Sequence, residues 1–114
     1  MIQIYHNPRC GKSRTCLAFI EQSKQEYEII QYLTETPTFE ELKALLEKLE
    51  LQPIQLIRIK EKIWIENYKG KNLTNQEIIQ AMVDNPILIE RPIVVKNGKA
   101  IIGRDMDLVT AFLD

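Results

Sequence analysis

Apolar and polar residues alternate in Ile2-Gln3-Ile4-Tyr5, which predicts a first strand over residues 2–5. Asn7-Pro8 is a turn signal. A helix is expected to follow Cys10 and run to about residue 23, with Leu17, Phe19 and Ile20 available for burial. Residues 27–33 are rich in β-formers and predict a second strand. The middle of the chain changes to a helical period. Thr38 and Glu41 have capping-box spacing, and Leu42, Leu45, Leu46 and Leu49 follow on one face. Pro53 suits the first turn of another helix carrying Ile54, Ile57 and Arg58. Residues 64–71 are poorly patterned and read as irregular. Thr74 and Glu77 repeat the capping-box spacing ahead of Ile78, Ile79, Met82 and Val83, and Asn85-Pro86 closes that helix. Residues 92–96 and 99–102 flank Asn97-Gly98, the signature of a type I′ hairpin. A last helix is expected from about residue 105 to 113.

A strand–helix–strand start fits a right-handed parallel βαβ unit. The whole order is βαβ, helices, ββα. It predicts an α/β thioredoxin-like fold: a four-stranded mixed sheet, with a helical insertion between the βαβ unit and the C-terminal ββα unit. The 114 residues are expected to form one domain, 1–114. A formal net charge of -1, from 15 basic and 16 acidic residues, argues against a nucleic-acid partner held by a bulk basic surface. No apolar run approaches the ~18 residues that span a bilayer, and the N-terminus lacks the pattern of a signal peptide. No membrane association and a cytoplasmic location are therefore expected. Two cysteines and one histidine are too few for a four-ligand zinc site, so neither a metal nor a bound cofactor is expected.

The chemistry concentrates in His6-Asn7-Pro8-Arg9-Cys10-Gly11-Lys12-Ser13-Arg14. This stretch joins a strand to a helix, so the amides from Gly11 onward point into the loop. Free N–H groups and the helix dipole stabilise negative charge there. Arg9, Lys12 and Arg14 add cations, and Ser13 can offer its hydroxyl to the sulfur. Such surroundings depress a thiol pKa and would also attract an oxyanion. Cys10 could instead be a small buried turn residue, but its neighbours are charged and polar rather than apolar. Gly11-Lys12-Ser13 imitates only the tail of a phosphate-binding loop, since His6 stands where the first glycine would be. Cys16 lies six residues on. In a helix that is a ~9 Å rise and a ~240° rotation, too far for a disulfide without unwinding. Cys16 is expected in the core. A site with one working cysteine needs an outside thiol to resolve it, which points to glutathione or a glutaredoxin-type partner. His6 either tunes Cys10 through a hydrogen bond or merely finishes the strand. Arg58, Arg91 and Arg104 read as surface cations on spacing alone, although Arg91 and Arg104 stand at strand ends, where α/β folds gather ligand groups.

The run from Tyr5 to Arg14, together with Leu56-Ile57-Arg58, residues 85–95 and Gly103-Arg104, resembles the glutaredoxin-coupled class of arsenate reductases along nearly the whole chain. Its length and its Arg9-Cys10-Gly11-Lys12-Ser13-Arg14 pattern resemble a shorter, chromosomal-type branch more than the longer arsenical-resistance enzymes. The resemblance implies an oxidoreductase in which Cys10 attacks arsenate and Arg58, Arg91 and Arg104 surround the oxyanion. It implies that His6 and Ser13 favour the thiolate and that Arg91-Pro92 is a cis-proline junction. Glutathione as co-substrate and glutaredoxin as partner would then deliver the reducing thiols. Two rival readings share the superfamily. One is a general glutathione-dependent thiol oxidoreductase. The other is a thiol-stress regulator that binds RNA polymerase, which typically carries Cys-x-x-Cys where this chain has Cys10 and Ser13.

Overall fold

In the computed structural model, which describes all 114 residues, the elements run in the order β1 (Ile2–Tyr5), α1 (Gly11–Gln22), β2 (Tyr27–Ile30), α2 (Phe39–Leu49), α3 (Lys62–Asn67), α4 (Asn75–Asp84), β3 (Ile93–Lys96), β4 (Lys99–Ile102) and α5 (Met106–Leu113). They divide into two compact units. One comprises Met1–Glu35 and Arg91–Asp114, the other Thr36–Glu90.

The first unit holds a four-stranded mixed sheet in the order β2-β1-β3-β4. β1 pairs parallel with β2, from Ile2 opposite Tyr27 to Tyr5 opposite Ile30, and antiparallel with β3, which pairs antiparallel with β4. Asn97 and Gly98 turn the β3–β4 hairpin with φ of 53° and 75°, the left-handed angles a type I′ turn demands. α1 and α5 pack together over one sheet face. Ile2 and Ile4 of β1, Val94 of β3, Cys16 and Ile20 of α1, and Val109 and Leu113 of α5 form the core there. The buried stripe of α1 is Ser13, Cys16 and Ile20, at spacings of three and four, whereas Leu17 and Phe19 are only partly covered. β2 stops at Ile30, short of the expected residue 33. Its partner strand ends at Tyr5, and once His6 N–H has donated to the Ile30 carbonyl, Asn7-Pro8 leads β1 away. Gln31 instead opens a turn whose carbonyl accepts from the N–H groups of Thr34 and Glu35.

The second unit is the helical insertion. Both capping boxes form. Thr38 Oγ1 accepts Glu41 N–H while Glu41 Oε1 accepts Thr38 N–H, and Thr74 and Glu77 repeat the exchange. α2 and α4 pack together through faces that include Leu42, Leu45, Leu46, Ile78, Ile79 and Met82. Two expectations are corrected here. Pro53 opens only a single turn of 3₁₀ helix, Pro53–Leu56, beyond which the chain is extended: Ile57 bridges Ile89, and Arg58 N–H donates to the Leu88 carbonyl. Of the stretch 64–71 expected to be irregular, residues 64–67 are helical, as part of α3, and only 68–71 are not. Trp64 is buried and stacks on Tyr68 four residues on, with ring centroids 5.3 Å apart. So short a helix shows no apolar period, and one aromatic pair stabilises it instead.

Gly103, just past β4, is required by close approach. A Cβ there would lie 2.7 Å from Cys16 Sγ and 3.3 Å from side-chain carbons of Pro92 and Val94. Gly103→Ala should therefore destabilise the protein by about 1–3 kcal/mol in urea unfolding, an overpacking cost. In a Cys16→Ala background the same substitution should cost clearly less. Equal costs in both backgrounds would show that the sulfur is not what Gly103 accommodates.

Candidate active site

Residues 6–10 link β1 to α1, and buried Asn7 organises them. Its carbonyl accepts Cys10 N–H at 3.0 Å, its Oδ1 accepts Arg9 N–H at 3.0 Å, and its own N–H donates to Ser13 Oγ at 3.0 Å. Asparagine does this readily because its short amide can stand in for a backbone acceptor two residues on. The Asn7-Pro8 pair was legible as a turn. The clamp was not, because one of its partners, Ser13, comes from the helix.

Cys10 occupies the N-cap position of α1, with extended φ and ψ of −95° and 122°. That position normally holds a side chain that accepts from the first N–H groups of the helix. Partial burial pushes the Cys10 thiol pKa up. The N–H of Ser13, the Arg91 side chain, the N–H of Lys12 and the positive charge of Arg91 oppose this and together hold it below its ordinary value. Cys16, sealed in the core, has its pKa pushed up to about 11 by burial. Both thiols are free. Their opposite shifts set apart a sulfur held toward its thiolate and one packed as a thiol in the core.

The residues expected to favour the thiolate divide differently from the sequence reading. Ser13 acts on the sulfur through its backbone N–H, whereas its hydroxyl takes the Asn7 N–H and sits 2.9 Å from His6 Nδ1. Lys12 likewise contributes an amide. Arg14 turns its guanidinium to the Pro8 carbonyl at 3.0 Å. Gly11 is the first residue of α1, with Arg14 as the near neighbour of its Cβ position. His6 is 6% exposed, and burial first, then the Arg14 charge, lowers its pKa, so the ring is neutral. The Ser13 proton is satisfied when given to Nδ1, which leaves the ring proton on Nε2.

The cation at the sulfur, Arg91, comes from the far end of the chain, immediately before the cis peptide to Pro92. Arg104 is exposed and donates from Nη1 to the Arg91 carbonyl at 3.0 Å, so it reaches the site by way of the Arg91 backbone. Arg58 belongs to the helical unit, where its Nε pairs with Glu61 at 3.2 Å. No group of three His, Cys, Asp or Glu side chains converges to hold a metal ion. The arrangement can stabilise a thiolate and receive an anion beside it.

The family model that matches this chain is that of the ArsC family, over residues 5–112. An arsenate reductase of Neisseria meningitidis is 40% identical over 114 residues, 98% of this chain and 97% of that protein. One of Haemophilus influenzae is 36% identical over 96% of this chain and 97% of its own. The solved structure of an arsenate reductase from Vibrio cholerae matches with a TM-score of 0.91 at 41% identity, covering 96% of this chain and 95% of that one.

Thiolate absorbance, measured as the difference between wild type and Cys10→Ser, should titrate below the ordinary cysteine pKa of ~8.5. Arg91→Gln should move that transition up. Because the folded-state pKa is lowered, alkylation of Cys10 should persist to lower pH than that of an ordinary thiol and fade as pH falls through the lowered value. The stability contributed by the thiolate fades over the same range. A Cys10 signal appearing only above the ordinary value would show that the loop does not activate the sulfur.

Proposed function

The chain belongs to the ArsC family, and from that premise we propose that it reduces arsenate to arsenite through a Cys10–arsenic adduct resolved by glutathione and glutaredoxin. The observation that carries this reading is the Arg91 side chain on the Cys10 sulfur at the mouth of a helix N-terminus. One set of donors serves both the thiolate and an incoming oxyanion. Two anions repel on approach, and a guanidinium that stays charged at every working pH removes that barrier while offering forked donors to a tetrahedral oxyanion.

The Cys10 sulfur bonds to arsenic(V) and one arsenate oxygen leaves as water, without change of oxidation state. Two outside thiols then supply two electrons. They become one disulfide, arsenic leaves as arsenic(III) with its three remaining oxygens, and their two protons go to arsenite and to the Cys10 sulfur. The buried, high-pKa Cys16 is a poor internal resolving thiol, so external thiols fit the site. Such chemistry belongs in a reducing compartment, the cytoplasm. No helix of the protein is long and apolar enough to cross a membrane.

The test is arsenate-dependent NADPH consumption in the presence of glutathione, glutaredoxin and glutathione reductase. Turnover is expected in the wild type and in Cys16→Ser, and none in Cys10→Ser. Arg91→Lys and Arg104→Lys should each lower kcat/KM for arsenate by about tenfold or more, ~1.4 kcal/mol of transition-state stabilisation. If arsenate elicits no consumption while a glutathione mixed disulfide is reduced, the protein is a general thiol oxidoreductase instead.

A further inference from the structure

A cleft of about 250 Å³ lies beside the nucleophile loop, between it and the turn after β2. We propose that this cleft, lined by His6, Asn7, Arg9, Gln31 and Thr34, binds the glycine carboxylate of the glutathione that resolves the Cys10 adduct. The inference rests on the reading of Cys10 given above and adds a site for its reductant.

Beside the apolar Pro8 and Leu33, the polar side of the lining suits a small anion. It includes Arg9, Asn7, Gln31 and His6, and no Asp or Glu. Arg9 is exposed and permanently charged, with the forked geometry that matches a carboxylate. The two most buried polar residues of the lining already have partners on one side only. Asn7, 4% exposed, uses Oδ1 on Arg9 N–H, and His6 uses Nδ1 on Ser13. What each retains is a nitrogen donor, the Asn7 amide NH₂ and the His6 Nε2–H. The carbonyl of Gln31 is engaged by Thr34 N–H, Glu35 N–H and the Thr34 hydroxyl, which holds the opposite wall in shape. The Asn7 and His6 nitrogens stand as donors near one positive charge, Arg9, and no carboxylate of the lining opposes it, which suits a carboxylate ligand.

Size and spacing narrow the ligand. The volume corresponds to roughly eight waters at ~30 Å³ each, more than an arsenate ion fills and enough for the end of a short peptide. Arg9 is the residue next to Cys10. In glutathione the thiol-bearing residue is next to the terminal carboxylate. A peptide whose carboxylate rests on Arg9 carries its thiol on the residue one Cα–Cα step of ~3.8 Å away from that end, which suits a sulfur that has to reach the residue next to Arg9.

Two measurements test this, one of them without arsenate. In ¹⁵N-labelled protein, S-methylglutathione, which cannot react, should shift the amides of residues 6–9 and 31–34 at millimolar concentration. The shifts should weaken at least fivefold in Arg9→Gln and with the glycine ethyl ester of the same ligand. In turnover, KM for glutathione should rise about tenfold when the ester replaces the acid in wild type, and the acid and ester should become nearly equal in Arg9→Gln. The ratio of turnover with glutathione to turnover with β-mercaptoethanol should fall in Arg9→Gln. Absent shifts in these two segments, or equal binding of acid and ester by wild type, would overturn the proposal. Amide shifts without any arsenate turnover would retain the glutathione site and refute the arsenate reading, so the two failures are separable.

Discussion

Negative charge on a sulfur partly withdrawn from water has to be met by donors fixed in place before the charge forms. Burial alone would drive the Cys10 proton back on. The loop between β1 and α1 answers that requirement with the helix's own N-terminal amides, which cannot be titrated, and with the guanidinium of Arg91, which is never neutral at working pH. The Asn7 clamp keeps this loop in one shape: three of its polar groups bind Cys10, Arg9 and Ser13. Because Ser13 is fully buried on α1, the loop is tied to the helix rather than merely preceding it.

The same constraint runs through the core. Cys16 and Ile20 of α1 pack with Ile2, Ile4 and Val94 of the sheet. Gly103 closes against the Cys16 sulfur, and its N–H donates to the Pro92 carbonyl at 2.8 Å. Arg104, the next residue, then holds the Arg91 carbonyl. A chain of packing and hydrogen bonds thus connects the core cysteine, Cys16, to the segment that carries Arg91 to Cys10. The absence of a side chain at position 103 is what permits that connection.

Arg9, Lys12 and Arg14 give the nucleophile loop a strongly basic sequence, yet the charge that acts on the sulfur comes from elsewhere. Arg14 binds Pro8 and helps to keep His6 neutral, while Arg9 faces a cleft. Proximity along the chain is a poor guide to electrostatics at a helix N-terminus, because side chains of the first turn project outward while the backbone N–H groups project along the axis.

Much of this protein is determined by local chemistry. The two capping boxes, the Asn-Gly hairpin and the helical period of α2 and α4 depend on residues a few positions apart, and each forms as the local pattern dictates. The placement of Cys10 at a strand-to-helix junction is local too, which is why the amides of the helix N-terminus could be read from residues 6–14 alone. Tertiary structure decided what depends on partners far along the chain. β2 ends where β1 ceases to pair with it. Residues 62–67 become helical through a buried tryptophan stacked on Tyr68, and Ile57 leaves a helix to bridge Ile89. Tertiary structure also selected Arg91 from among the arginines as the cation at the sulfur. A hydrogen bond or a charge acts over a few ångströms of space, and only the folded sheet brings residues 10 and 91 within that range.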